Sequence, residues 1–149
     1  MSPFNAWVLS KSLETLAVRV DRHCENALEL AQFLEKQDAV NWVKYPFLTS
    51  HPQYEIAKKQ MKKGGNIVTF EVKGGLEAGR AFLNRIKMCS LSANLGDTRT
   101  IVTHPASSTH SKLSKEERLE VGITDGLIRV STGLENISDI VSDFQQALN

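Results

Sequence analysis

Cysteine is scarce in this chain: Cys24 and Cys89 are the only two among 149 residues. Two isolated cysteines exclude a disulfide framework, and they lack the paired spacing of a zinc site. Both read as buried, inert thiols, since a free cysteine behaves as a small hydrophobe. Long apolar runs are also missing. The stretch Ile67 to Phe70 is far short of the roughly 20 residues that a membrane helix requires. No sign of charge dominates, because 18 basic residues face 17 acidic ones for a net charge of +1. Such a balance creates no field to gather nucleic acid or an anionic membrane. The first residues, "MSPFNAWVLSKSLETL", have neither the basic start nor the apolar centre of a secretory signal. The chain therefore reads as soluble and cytoplasmic. Gly64-Gly65 and Gly74-Gly75 lie outside any phosphate-loop context and read as turns.

What is present suffices for one domain, with 41% hydrophobic residues to build a core. Leu13, Leu16, Ala17, Val20, Cys24, Ala27, Leu28, Ala31 and Leu34 recur at helical spacing, which predicts a long amphipathic helix over Ser10–Lys36. "VNWVKYP" and "NIVTFEV" read as strands, with a loop and a short helix between them. A further helix is expected in "LEAGRAFLNRIKM", and the polar segment "NLGDTRTIVTHPASSTH" reads as strand-like. Ser114 and Glu117 form a capping-box pattern for a short helix that Gly122 is placed to end. "DGLIRVSTG" reads as a strand, and Asn136 precedes a last helix striped by Ile137, Ile140, Val141, Phe144 and Leu148. Interleaved helices and strands point to a two-layer α/β or α+β domain with helices against one sheet.

Two places could carry chemistry. The strand period puts Ile128 and Val130 on one face and Leu127, Arg129 and Ser131 on the other. Arg129 is thus a guanidinium inside an apolar strand, where a planar fork suits a carboxylate ligand. An internal ion pair with Asp97 or Glu135, or an exposed edge-strand side chain, is the reading that spacing alone favours. The second place is Asn94 to His110. His104 and His110 match no common zinc spacing, and a relay with Ser107, Ser108 or Asp97 has no feature to fix its geometry. "SANLGD" is either a turn that offers amides and the Asn94 side chain to an anion, or a plain glycine turn.

The ordered set "SPFNAWVLSKSLETLAVRVDRHCENALELAQFLE", "GGNIVTFEVKGG" and "SLSANLGDTRTIVTHPASSTHSKLSKEERLEVGITDGLIRVSTGLENISDIVSDFQQAL" covers essentially the whole chain. Together these segments resemble the C-terminal part of the pyridoxal-phosphate enzymes of cysteine and methionine metabolism, most closely the O-acetylhomoserine sulfhydrylase branch. The resemblance implies the small C-terminal domain of a fold type I aminotransferase-like enzyme, with a mostly antiparallel sheet and helices packed on one face. Residues 1–36 then match the helix linking the two domains together with its lead-in, and residues 37–149 the substrate-side domain. Arg129 matches the arginine that pairs with the substrate's α-carboxylate. Asn94 and Leu95 match the pair beside the cofactor that also contacts this carboxylate, and Thr109 a threonine facing the pocket. His104 and His110 support that loop and are not catalytic bases.

The resemblance also implies an activity. Pyridoxal 5′-phosphate withdraws electrons from the substrate's α-carbon. In the sulfhydrylase reaction acetate leaves the γ-carbon of O-acetylhomoserine and sulfide adds there, giving homocysteine for methionine biosynthesis. The lysine that forms the Schiff base with the cofactor, the aspartate under its pyridine nitrogen and the phosphate-binding loop belong to the family's large domain, which is absent from these residues. No catalytic residue is therefore expected in this chain. The chain alone is expected to be inactive, to hold no cofactor covalently and to bind no metal. Its expected partners are the large domain and the amino-acid substrate, within a homotetrameric parent. A methionine or cystathionine lyase of the same family and a free-standing amino-acid-binding module are the competing readings.

Overall fold

Side-chain alternation decides the sheet. In the computed structural model, which describes every residue from Met1 to Asn149, strand β2 (Ile67–Val72) buries Val68, Phe70 and Val72 and leaves the residues between them half-buried. Strand β5 (Leu127–Ser131) pairs antiparallel with it, setting Val68 opposite Val130 and Phe70 opposite Ile128. β1 (Val40–Lys44) lies on the outer side of β2, and β4 (Ile101–Thr103) on the other side of β5. The short β3 (Ser90–Leu91) completes the order β1-β2-β5-β4-β3 and is the only parallel neighbour. One face is therefore apolar. The other carries a row formed by Lys44, Thr69, Arg129 and Thr103, in register across the sheet.

The apolar face is covered by α2 (Leu16–Leu34), α4 (Gly75–Arg85) and α6 (Ile137–Leu148). Ala27, Leu30, Ala31 and Leu34 from α2 and Ile140, Phe144 and Ala147 from α6 are buried at helical spacing. Phe70, Phe82 and Phe144 meet where sheet and helices join, with ring centroids 5.4 to 6.1 Å apart. Truncating one such ring to alanine costs about 3–5 kcal/mol. The expected two-layer domain, with a mostly antiparallel sheet and helices on one face, is what forms. The caps are as the sequence implies. Asn136 accepts from the Ser138 amide, and Ser114 and Glu117 make a full capping box on α5 (Lys115–Glu120). That helix ends in a Schellman arrangement, with the Gly122 amide bonded to Leu119 O and the Ile123 amide to Arg118 O.

Two expectations need correction. The helix over Ser10–Lys36 is instead a pair, α1 (Pro3–Glu14) and α2, which meet at Thr15. It begins earlier because Ser2 caps the Asn5 amide and Pro3 suits the first turn. It breaks because the Ser12 carbonyl, needed by the next turn, accepts instead from the Arg19 guanidinium at 2.6 Å, while the Ser12 hydroxyl turns back to Val8 O at 2.8 Å. Within the polar segment Asn94–His110 only Ile101–Thr103 is strand, followed by a 3-10 turn at Pro105–Ser107. Gly96 at φ +76° and Pro105 bound what can join the ladder.

Between α4 and β3 the chain is fixed by one carboxylate. Asp143 accepts the amides of Lys87 at 2.9 Å and of Met88 and Cys89 at 3.0 Å. Burial pushes its pKa up, but the amides of Cys89, Lys87 and Met88 outweigh that and hold it below its ordinary 3.8. Burial likewise pushes the Cys89 thiol up, so it stays protonated and inert. Because the folded carboxyl has the lower pKa, Asp143 stabilises the fold above the unfolded value, and that contribution is lost as pH falls through the folded one. Asp143→Asn is expected to lower stability at pH 7 by roughly 1–3 kcal/mol. In urea titrations the gap to the parent chain should narrow as the pH drops below 3.8.

Candidate functional site

β5 is interior to the sheet, so Arg129 is not an edge residue. Its side chain leaves the uncovered face half-buried, with Thr69 on one side and Thr103 on the other. Neither ion pair that the sequence left open is formed. Asp97 is taken by Arg99, with Oδ2 at 3.0 Å from Nη2, and that pairing holds the Asp97 carboxyl well below the usual range. Glu135 is taken by Thr100, accepting its amide at 2.6 Å and its hydroxyl at 2.9 Å. Arg129 thus has no carboxylate partner and makes one hydrogen bond, from Nη2 to the Ala93 carbonyl at 3.0 Å. A half-desolvated guanidinium with most of its fork uncommitted is suited to receive an anionic oxygen pair.

That bond brings the loop Ala93–Gly96 to Arg129. Asn94 and Leu95 are both exposed on it, Leu95 at 55%. The loop's other end returns to the same strand, since the Gly96 amide donates to the Ser131 hydroxyl at 2.9 Å. Beyond it, Leu134 donates to Thr98 O at 2.8 Å and Gly133 to the Thr100 hydroxyl at 2.9 Å. The turn after β5 is itself tied to α2. Asn26 Nδ2 donates to Gly133 O at 3.0 Å and to Glu135 O at 2.9 Å, and His23 Nδ1 donates to Thr132 O at 2.6 Å. Asn26, His23, Thr100 and Ser131 are all buried, so each of these bonds satisfies a group that would otherwise be costly. Beside the loop runs a cleft lined by Arg19, Val20, His23, Asn66 and Gly96. Of this network, the sequence pointed only to the side of the strand on which Ser131 lies. Asn26, His23, Thr100 and Glu135 carried no local signal, because their partners are about 35 to 109 residues distant.

Thr109 shares no hydrogen bond with the Arg129 group. It is exposed on the loop after β4, and its hydroxyl pairs with His110 Nδ1 at 2.8 Å. His104 is fully buried, with Nε2 donating to Asp125 O and Nδ1 accepting from Ser107, both at 2.8 Å. This ring closes the 3-10 turn against the Asp125 segment and has no nitrogen left for a substrate. Asp125 is held from α5 by Arg118 at 2.7 Å and Lys115 at 3.2 Å, and these two cations depress its carboxyl. No trio of histidine, cysteine, aspartate or glutamate is arranged to hold a metal ion. No helix is long and apolar enough to cross a membrane.

The fold and this face define an α/β domain whose second sheet face holds Arg129, half-buried and without a carboxylate partner, beside the exposed Asn94. The chain belongs to the Cys/Met metabolism PLP-dependent enzyme family, whose sequence model matches residues 1–149. It is 52% identical over 148 residues to the L-methionine gamma-lyase of Fusobacterium nucleatum subsp. nucleatum, covering 99% of this chain and 38% of that protein. It is 46% identical over 149 residues to O-acetyl-L-homoserine sulfhydrylase 1 of Thermus thermophilus, covering 99% of this chain and 35% of that protein. A crystal structure of a putative O-acetylhomoserine (thiol)-lyase from Campylobacter jejuni, with N′-pyridoxyl-lysine-5′-monophosphate, superposes with a TM-score of 0.91 at 41% identity. That match covers 99% of this chain and 35% of the other. The chain thus spans less than two fifths of the length of these relatives.

The packing around His104 is directly testable. A Cβ at Gly79 would lie 2.5 Å from His104 Nε2, on the bond to Asp125. Gly79→Ala is expected to displace the ring and destabilise the domain by roughly 1–3 kcal/mol. Its melting temperature should fall, whereas Gly79 lies in α4, where alanine in an open helix site would raise it.

Proposed function

We propose that this chain is the C-terminal, substrate-side part of a PLP-dependent enzyme acting at the γ-carbon of an amino acid, and that it supplies the α-carboxylate site. The observation that carries this reading is the Arg129 guanidinium, half-buried and free of any carboxylate, held beside exposed Asn94 and Leu95. Arg129 anchors the carboxylate through paired N–H groups, the Asn94 amide adds a donor, Leu95 bounds the site and Thr109 lines its outer part. PLP, when bound, draws electrons away from the substrate's α-carbon. Arg129 then fixes the direction in which the α-proton points, an orienting effect more than chemistry.

The donor set suits the amino-acid end of a cofactor–substrate pair. It does not suit the cofactor's covalent attachment, because every lysine of the chain is exposed, whereas an amine that forms an imine is activated by desolvation. We therefore place the cofactor on a large domain that these 149 residues do not include, with residues 1–36 as the link to it and 37–149 as the substrate-side domain. The isolated chain is inactive on this reading, and the complete enzyme is a cytoplasmic homotetramer.

The reaction we assign first is the conversion of O-acetylhomoserine and sulfide to homocysteine and acetate. Methionine γ-lysis is the second reading, favoured by the 52% identity to the Fusobacterium enzyme. Assays of the full-length protein that carries this chain separate the two. Sulfide-dependent homocysteine formation supports the first, and ketoacid release from methionine without sulfide supports the second. Under either, Arg129→Ala is expected to raise KM for the amino acid roughly 10- to 100-fold, the worth of a hydrogen bond to a charged group. Calorimetry of the isolated chain with O-acetylhomoserine and methionine should show little binding. Measurable affinity lost on Arg129→Ala would instead indicate a free-standing amino-acid-binding module.

A further inference from the structure

Ser131 lies two residues beyond Arg129, on the same face of β5, and is 1% exposed. Its hydroxyl oxygen accepts from the Gly96 amide at 2.9 Å and from Asn66 Nδ2 at 3.1 Å, which fills both of its lone pairs. Arg129 in turn donates to Ala93 O. The loop is therefore attached to one strand at two points, and the residues between those points are Asn94 and Leu95. Other bonds near the tip are local: Asn94 N reaches Ser92 Oγ at 3.4 Å, and the Asp97 carboxylate serves its neighbours Thr98 and Arg99. Nothing else from the sheet holds the tip before Thr98, whose carbonyl meets Leu134. Gly96 adopts φ +76°, so the direction of its amide depends on this anchor more than on its own backbone preference.

We propose that Ser131 is a positioning residue for the carboxylate site: its hydroxyl, oriented by Asn66, sets Asn94 and Leu95 against the Arg129 guanidinium without itself meeting the substrate. This rests on the reading of Arg129 and Asn94 given above. Ser131→Ala, which leaves a methyl without the hydroxyl, removes the only acceptor of the Gly96 amide and releases one end of the loop. The Arg129 backbone stays in place, since it is held by the ladders to β2 and β4, and the bond from Nη2 to Ala93 O lies at the other end of the loop. The effect therefore falls on binding of the amino acid more than on the subsequent chemistry.

The test is steady-state kinetics of the full-length protein carrying this chain, together with amide hydrogen exchange. Ser131→Ala is expected to raise KM for the amino acid roughly five- to tenfold with kcat little changed, the worth of one neutral hydrogen bond. Ser131→Thr, which keeps the oxygen, should recover most of the loss. In Ser131→Ala the Gly96 amide should exchange faster while Ile128 and Val130 keep their protection. An unchanged KM, a fall in kcat alone, or loss of protection at Ile128 and Val130 together with Gly96 overturns the proposal. Arg129→Ala separates the two levels. If it raises KM and Ser131→Ala does not, only the positioning role fails; if it leaves KM unchanged, the carboxylate reading fails and this role with it. Should Ser131→Ala be too unstable to assay, Asn66→Ala removes one of the two bonds on the same oxygen and is expected to raise KM about twofold. No change there also overturns the proposal.

Discussion

β5 lies between β2 and β4 with backbone ladders on both edges, and the geometry of the uncovered face depends on that placement. A strand paired on both sides cannot slip by one residue without exchanging its core set, Ile128 and Val130, for Leu127, Arg129 and Ser131. The apolar core therefore enforces the direction of Arg129. Val130 and Ile128 are sealed beneath the helices together with Phe70 and Phe144, and turning the strand over would bury a guanidinium among those rings. Apolar burial on one face thus sets the orientation of a polar group on the other.

Polar bonds then carry this orientation outward. Thr100, Gly133 and Glu135 form a closed set in which the Thr100 hydroxyl accepts from Gly133 and donates to Glu135. Asn26 and His23 fasten the same turn to α2. Groups of this kind strengthen one another in a low-dielectric interior and are costly when any partner is lost. They also join the two parts of the chain that the family resemblance separates, the linking helix and the substrate-side domain. A shift of α2 would therefore be felt at the turn following Arg129, and from there at Thr100 and the loop before it.

Much of the fold was legible in the sequence because its signals are local. The stripe Ala27, Leu30, Ala31 and Leu34, the alternation of β2 and the capping box at Ser114 each follow from spacing within one element. The break at Thr15 was not legible, because it arises from Arg19 reaching back to the Ser12 carbonyl, a competition between two donors for one acceptor that periodicity does not register. β3 escaped notice because its two residues have no pattern of their own and become a strand only by pairing with β4. The resemblance singled out Arg129, Asn94 and Leu95 in advance, and the bond from Arg129 to Ala93 brings their segments together. Thr109 lies on the loop after β4, its hydroxyl paired with His110.

The sequence by itself determined the two-layer class, the apolar face of each element and the side of β5 on which Arg129 stands, since these follow from periods of 3.6 and 2 within short segments. Only the tertiary structure decided that Arg129 has no carboxylate partner. Asp97 and Glu135 were both available on paper, and both are consumed elsewhere, one by its neighbour Arg99 and the other by Thr100 across 35 residues of chain. Competition among side chains for a limited number of partners is settled by distance in three dimensions. Spacing along the chain does not contain it.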